Sequence, residues 1–152
     1  MQDMLVVNLP KTDVRPVPSI ILSNTCDVDL QNERNFPSQL VYSPIFDLSK
    51  YRSSLIEKSK KPKEHIDDHI SAIRRQEITQ IFYLPSIEGK LEESLVFLDR
   101  INNMPNKIVD RESVPSKRIF TLSNYGLYLF LIKLSIHFTR IQDKVDRGSF
   151  VR

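Results

Sequence analysis

The sequence predicts an α+β fold, in which short β-strands pack against one strongly amphipathic C-terminal helix, and three observations lead to this prediction. The chain has 152 residues, the length of one ordinary domain, so residues 1–152 are treated as a single domain. Short runs rich in β-branched and aromatic residues recur between prolines and polar turn residues, as strands do. Near the C-terminus, apolar residues recur every three or four positions, which is typical of an amphipathic helix.

The predicted strands are short apolar segments that end at proline or at polar turn residues. The clearest are residues 19–22 (SIIL) and 39–45 (QLVYSPI). Pro44 lacks an amide hydrogen, which indicates that the second segment is an edge strand or ends there. The remaining predicted strands are residues 4–9, 78–84, 94–101 and 118–122.

Between these strands, residues 48–77 are charged and rich in helix-favouring side chains, and Pro62 divides them. We predict a helical insertion here. Its second half carries Ile66, Ile70 and Ile73 on one face, at spacings of four and three.

The C-terminal segment predicts a long amphipathic helix that Ser123 or Asn124 could cap. We expect its apolar stripe to pack against the sheet, and the alternative is a surface for a partner helix. The stripe consists of Leu127, Phe130, Leu131, Leu134, Phe138, Ile141 and Val145.

Composition narrows the class of protein. The hydrophobic fraction of 40% and charged fraction of 27% are those of a globular protein. Neither a membrane span of about 18 apolar residues nor a secretory signal is visible, and the lone cysteine cannot form an intrachain disulfide. We therefore expect a cytoplasmic protein. Only three glycines are present, and their spacing excludes P-loop and Rossmann nucleotide sites.

Basic residues cluster between the two halves of the insertion, although the net charge of the whole chain is only +3. Such a cluster is either a solvated connector or a patch that contacts phosphates. Its lysines are Lys58, Lys60, Lys61 and Lys63.

The strongest local chemical feature is the polar segment that follows residues 19–22. Side chains at a strand end are held firmly yet stay accessible, so functional groups concentrate there. Three interpretations remain open: a buried thiol with turn-capping aspartates, an acidic pair that binds a ligand or transfers protons, and a cysteine that acts as nucleophile or metal ligand. The residues concerned are Ser23, Asn24, Cys26, Asp27 and Asp29.

A second feature is the histidine pair His65 and His69. On a helix, residues four apart share a face and could share a metal ion, although solvated histidines give the same spacing. A zinc site would need further ligands such as Cys26 or Asp68. The motif also differs from that of zinc proteases, because Ile66 stands where the catalytic glutamate would be.

The order of elements, with the segments SIILSN, LVYSPI and LVFLDRINNM, resembles the PemK/MazF-type toxins. This resemblance implies an SH3-like β-barrel, commonly dimeric, that cleaves single-stranded RNA without a metal. Two departures bear on activity. Family members usually carry an arginine just before the strand that ends in Ser-Asn, whereas here the only nearby arginine, Arg15, is displaced relative to Ser23. They also carry a threonine after the Pro-Ile that ends the next strand, and here Phe46 follows Pro44 and Ile45.

We therefore predict a PemK/MazF-like barrel with a helical insertion and a C-terminal amphipathic helix, in a bacterial or mobile-element toxin-antitoxin or antiviral defence system. It would bind a protein partner, a second copy or a nucleic acid, with its usual ribonuclease site degraded and with neither cofactor nor metal. Ser23, Asn24, Cys26 and Asp29 are the predicted ligand contacts.

The alternative function is a metal-independent endoribonuclease acting on single-stranded RNA. Such an enzyme needs a base for the 2′-hydroxyl and positive charge for the phosphorane, which Arg15, Asp27 and Arg118 could supply if they converge. A metal enzyme built on Cys26, His65 and His69 is ranked last.

Overall fold

Strands and helices alternate in the computed structural model, which describes residues 4–6, 15–24, 26, 29, 32, 36, 38–109 and 112–139. The described strands are β1 (Met4–Val6), β2 (Arg15–Val17), β3 (Ser19–Ile21), β4 (Gln39–Asp47), β5 (Ile81–Leu84), β6 (Ser94–Phe97) and β7 (Asn102–Pro105). The described helices are α1 (Leu48–Lys58), α2 (Lys63–Arg74), α3 (Val114–Lys117) and α4 (Asn124–Thr139), and a 3₁₀ turn spans Asn106–Ile108.

Five of these strands form one antiparallel sheet in the order β3-β4-β6-β5, with β7 also paired to β4. Strands β1 and β2 form a separate two-stranded ribbon. The predicted α+β class is confirmed, and both helices of the insertion lie within residues 48–77. Among the described strands, β3 and β5 end the sheet without pairing to each other, so the sheet is open rather than closed into a barrel.

The central strand is β4, which pairs with β3 along one edge and with both β7 and β6 along the other. The Ile45 amide donates to the Pro18 carbonyl at 2.8 Å, so the backbone amide and carbonyl of residue 45 point towards β3. Those of residue 44 point towards the opposite edge of β4. Pro44 has no amide hydrogen, and it falls where that edge is broken between β6 and β7. The prediction that Pro44 marks an edge strand or a strand end is wrong, because the break in the neighbouring edge accommodates it.

A serine hydroxyl replaces the hydrogen bond that Pro44 cannot make. If the β4–β6 register continued by one residue, the amide at position 44 would donate to the Phe97 carbonyl. Instead Ser43, which is 0% exposed, donates from Oγ to that carbonyl at 3.0 Å. The Arg100 carbonyl lies 3.4 Å from the same oxygen. One side chain thus holds both ends of the turn that links β6 to β7.

The two faces of the sheet carry separate hydrophobic clusters, since neighbouring strand residues point to opposite faces. Helices α1 and α2 cover one face, and the isoleucine face predicted for α2 is the one that packs there. That cluster comprises Leu48, Ile66, Ile70, Ile73, Ile81 and Leu95. On the other face, α4 contributes to a cluster of Ile20, Ile45, Phe82, Leu84, Val96, Leu98 and Phe130.

The segment before α4 differs from its prediction. Residues 118–122 form no strand, because their apolar side chains pack on the sheet face while their backbone pairs with no strand among the described residues. Phe120 and Leu122 lie against the cluster of the α4 face. The helix then begins as predicted, since Ser123 Oγ accepts a hydrogen bond from the Gly126 amide at 3.1 Å.

Helix α4 docks through a different face from the predicted stripe. Phe130 is buried, but Leu127, Leu131 and Phe138 are 48%, 51% and 65% exposed. Spacing alone could not select the inward face, because apolar residues surround the whole helix (NYGLYLFLIKLSIHFT). Ile141 and Val145, also part of the predicted stripe, lie outside the described residues.

A buried lysine joins α4 to the end of α2. Lys133 is 5% exposed, and its Nζ donates to the backbone oxygen of Gln76 at 2.8 Å and to its Oε1 at 3.1 Å. The Gln76 side chain also pairs with both backbone polar groups of Tyr83 on β5. Burial lowers the pKa of Lys133 to about 8, because the apolar surroundings disfavour its charged form.

The buried hydroxyl of Ser43 can be tested by substitution. We expect Ser43→Ala to lower the free energy of unfolding by about 1–3 kcal/mol, since it leaves the Phe97 carbonyl without its donor. In a Pro44→Ala background, Ser43→Ala should lower the free energy of unfolding by less, because the backbone amide now present at position 44 can donate to the Phe97 carbonyl. Urea denaturation measures both, with Ser53→Ala on the exposed side of α1 as control. Equal costs in the two backgrounds would contradict this account of the break.

The buried charge of Lys133 predicts a pH effect on stability. Its pKa in the folded chain is below the ordinary 10.5, so unfolding takes up a proton between about pH 8 and pH 10.5. Stability should therefore rise by about 2 kcal/mol between pH 8 and pH 10, relative to Lys133→Met. Denaturation curves at several pH values measure this difference. A constant difference between wild type and variant would show that Lys133 titrates normally.

Candidate functional site

The predicted ligand contacts after β3 are held by backbone hydrogen bonds. Ser23 Oγ accepts from the Val41 amide at 2.8 Å and donates to the Gln39 carbonyl at 3.3 Å, so its hydroxyl extends the β3–β4 pairing. Asn24 and Cys26 are exposed. The backbone of Ser23 is therefore well positioned, but its hydroxyl is already engaged.

Further along this segment, the amide of Asn32 links the remaining predicted residues. Asn32 Nδ2 donates to the Cys26 carbonyl at 2.9 Å, and the Asn32 backbone amide donates to the Asp29 carbonyl at 3.3 Å. Asp29 is half-buried, whereas Asp27 lies outside the described residues. Asn32 is thus bonded to the backbone of both Cys26 and Asp29.

The two predicted catalytic arginines lie in different elements. Arg15 is in β2, where its backbone pairs with Val6. Arg118 is exposed and follows α3, just before the residues that pack with Leu22 against one core cluster. The residues that follow Arg118 thus pack on the same face of the sheet as the end of β3.

On the opposite face, five side chains from four elements and the β6–β7 turn form what we call the aromatic–arginine surface. Its residues are Phe46 of β4, Tyr51 of α1, His69 of α2, Phe97 of β6 and Arg100 of the turn. The Phe46 and Phe97 rings lie edge to face with centroids 5.3 Å apart, and the Tyr51 and Phe97 rings do so at 5.6 Å. These rings give the surface a rigid apolar base.

The cationic and polar groups of this surface rest on that base. The Arg100 guanidinium carbon lies 4.4 Å from the centre of the Phe97 ring and 5.3 Å from that of Phe46, within the range of cation–π attraction. Tyr51 Oη and His69 Nε2 lie 3.2 Å apart and share a hydrogen bond. Arg100 is exposed, while Tyr51 and His69 are half-buried. The surface therefore presents a fixed cation beside a pair of hydrogen-bonding rings.

Local sequence explains how these side chains meet. Phe46 and Phe97 point to the same sheet face as Leu95, as residues two apart on a strand do. Helix α1 begins directly after β4, because the Asp47 carboxylate caps it by accepting from the Lys50 amide at 2.9 Å. This abrupt start places Tyr51 one turn away from Phe46.

Electrostatics set the protonation of the hydrogen-bonded pair. Burial lowers the pKa of His69, and the nearby charge of Lys61 lowers it further, so the imidazole is neutral at pH 7. Burial raises the pKa of Tyr51, against the opposing effect of the Arg100 charge. Lys61, a member of the predicted basic cluster, is thus close enough for its charge to affect the pKa of His69.

A neighbouring open pocket of about 340 Å³ is a weaker candidate, because ion pairs occupy its wall. Arg74 binds Glu93 through Nε and a terminal nitrogen at 3.0 and 2.6 Å. The Tyr83 hydroxyl donates to the same carboxylate, and burial with this bond raises the pKa of Tyr83 to about 12. Arg52, which also lines the pocket, binds Asp67, which does not, at 2.7 Å. We interpret this network as structural.

Two features are absent from the residues that the structure describes. No group of three or more histidine, cysteine or acidic side chains there could hold a metal ion. Of the predicted histidine pair, His69 binds Tyr51 and His65 is exposed. In the same part of the chain, no helix is both long and apolar enough to cross a bilayer.

Sequence reasoning missed most of the aromatic–arginine surface. The sequence pattern predicts one continuous strand over residues 94–101, which includes Phe97 and Arg100, and it marks Phe46 only as a residue without a hydroxyl. The available signal was Pro44, because a proline inside a long apolar run requires a break in a neighbouring strand. Arg100 lies in that break.

Comparison with known proteins gives no relative: no family model, curated protein or solved structure matches this chain. Function must therefore be inferred from the geometry of the chain and from its sequence motifs.

The lowered pKa of His69 can be measured by NMR titration of its imidazole. We expect a midpoint below 6.5, because burial and Lys61 both disfavour the imidazolium ion. Lys61→Gln should raise the midpoint, whereas Lys107→Gln on the 3₁₀ turn should leave it unchanged. A wild-type midpoint at or above 6.5 would show that His69 is solvated and that the Tyr51 bond is absent in solution.

Proposed function

We propose that this protein is a binding module for single-stranded RNA and that the aromatic–arginine surface is its contact site. The observation that carries the proposal is the exposed Arg100 guanidinium, whose central carbon lies 4.4 Å from the centre of the Phe97 ring and 5.3 Å from that of Phe46. A guanidinium fixed in this way offers both positive charge and a flat group against which an unstacked base can lie.

The chemistry of the neighbouring residues favours RNA in single-stranded form. Half-exposed rings and a guanidinium plane can contact base faces only when those bases are unstacked. Tyr51 and His69 offer hydrogen-bonding groups suited to a ribose 2′-hydroxyl, which distinguishes RNA from DNA. Lys61 adds positive charge beside them, as phosphate binding requires.

The proposal includes kinship with the PemK/MazF-type toxins, and with it a place in a bacterial or mobile-element toxin-antitoxin or defence system. Its support is that the motifs SIIL and LVYSPI fall on the adjacent antiparallel strands β3 and β4. Phe46, at the position where the family carries a threonine, here belongs to the aromatic–arginine surface. An SH3-like barrel would require further pairing beyond the described strands.

Under this proposal the module binds RNA without cutting it. The family hydroxyl is replaced by the Phe46 ring, which packs against Phe97 and under Arg100 and cannot take part in proton transfer. RNA recovered from the complex should therefore remain full length. Shortened RNA that persists in the presence of a chelator would instead favour a metal-independent endoribonuclease.

The proposal is tested by fluorescence anisotropy with a labelled single-stranded oligoribonucleotide. We expect Arg100→Gln to weaken binding about tenfold, since base stacking and phosphate contact together are worth about 1–3 kcal/mol. Arg100→Lys should restore affinity only in part, because lysine keeps the charge but lacks the planar group.

The matched control is Arg118→Gln, which removes an exposed arginine just before residues that pack on the opposite face of the sheet. This variant should bind RNA as the wild type does, apart from a small salt-sensitive loss. Equal weakening by the two glutamine variants would indicate non-specific attraction. Absence of binding by the wild type would overturn the proposal.

A further inference from the structure

The outward half of α4 is apolar and exposed. Phe130 and Lys133 point inward, and at 3.6 residues per turn the exposed side chains fall together on the opposite half of the helix. Seven large apolar residues there each expose between 38% and 76% of their surface, which amounts to roughly 800 Å². Contiguous apolar patches on monomeric soluble proteins usually cover a few hundred Å², so a face of this size is expected to meet an apolar environment.

Helix α4 is held to the rest of the chain through its inward half. The Phe130 and Phe82 rings lie edge to face with centroids 5.0 Å apart, and Lys133 binds Gln76. A helix that lies by itself on a membrane has one apolar face for the lipid and one polar face for water. Here the folded chain takes the place of the polar face, because it covers the inward half of α4 and leaves the apolar half outside.

The charge around α4 favours a negatively charged lipid surface. Residues 113–142 include four basic residues and no acidic one. Lys133 is buried on the inward half, so the outward half of the described helix carries no lysine or arginine. Lys117 and Arg118 precede the helix, and Arg140 follows it in the sequence. Basic residues that flank an apolar helix are attracted to lipid phosphates, which would repel acidic residues at the same positions.

The polar groups on the outward half suit the boundary between lipid and water. Tyr125 and Tyr128, near the N-terminal end of the helix, expose 76% and 66% of their surface. Tyrosine is enriched at this boundary, because its ring is apolar and its hydroxyl remains hydrated. At the other end, the Thr139 hydroxyl donates to the Ser135 carbonyl at 2.7 Å. That hydroxyl therefore needs no water to satisfy its hydrogen.

We infer that α4 binds the surface of a membrane that contains anionic lipids, with its axis along the bilayer and its outward half among the acyl chains. This attachment differs from a membrane span, for which no helix among the described residues is long and apolar enough. The aromatic–arginine surface lies on the other face of the sheet, so it stays in water when α4 lies on lipid. The inference is independent of the RNA-binding proposal, since it rests on α4 and the charges beside it.

Co-sedimentation of the full chain with vesicles of equal parts phosphatidylglycerol and phosphatidylcholine tests this inference. The wild type should sediment with these vesicles and should bind pure phosphatidylcholine vesicles at least about fivefold more weakly, because the attraction of the basic residues is then lost. Arg118→Gln should weaken binding to the mixed vesicles about fivefold, the contribution expected of one basic residue near an anionic membrane.

Substitutions on the outward half test the apolar contact. Leu131→Glu and, separately, Ile136→Glu should weaken binding to the mixed vesicles more than about tenfold, because each places a carboxylate among the acyl chains. The matched control is Ile108→Glu, which makes the same change at an isoleucine that is 50% exposed and lies outside α4. It should bind as the wild type does. Equal losses in the three variants would show that net charge, rather than α4, decides binding.

Circular dichroism and thermal melting identify which variants stay folded, and Arg118→Gln, which leaves α4 unchanged, keeps the inference testable if both α4 variants unfold. A wild type that binds neither kind of vesicle would overturn the inference, as would folded α4 variants that bind as the wild type does. Sedimentation velocity without lipid separates the competing occupant. A dimer that ignores vesicles and that Leu131→Glu converts to a monomer would assign the face to a second copy of the chain and would also overturn the inference.

Discussion

The absence of one amide hydrogen, at Pro44, is the constraint from which the functional geometry follows. Position 44 faces the edge of β4 that would otherwise carry one continuous strand, so that edge is divided into β6 and β7. The Ser43 hydroxyl satisfies the carbonyl left without a donor. A proline in a central strand is therefore tolerated because its neighbour supplies the missing hydrogen bond, and the turn beside it is held in place.

That turn determines where Arg100 lies. Its guanidinium reaches back over the last ring of β6 and over Phe46 of β4. Because α1 starts at the end of β4, Tyr51 joins the same group of rings, and α2 adds His69. A backbone irregularity thus places a cation on an aromatic base, and this arrangement has the charge and flat groups that single-stranded nucleic acid binds.

Sequence periodicity predicted the elements whose two faces differ in polarity. Helix α2 was predicted because its isoleucines recur every three or four positions on one face, whereas the strand SIIL was predicted from its β-branched residues and its length. The orientation of α4 was not predictable, since its apolar residues surround the helix and its inward face is marked only by long-range contacts, those of Phe130 with Phe82 and of Lys133 with Gln76. The role of Arg100 was missed because contacts between a turn and two strands produce no regular spacing of residues along the sequence.

The central claim is that RNA lies against the aromatic–arginine surface, and NMR titration of the ¹⁵N-labelled protein with single-stranded RNA tests it most directly. The account predicts that the amide signals which move most belong to Phe46, Phe97 and Arg100, together with those of the neighbouring helix residues. Movement concentrated at Asn24 and Cys26, with the signals of the β6–β7 turn unchanged, would contradict it and would return the site to the end of β3.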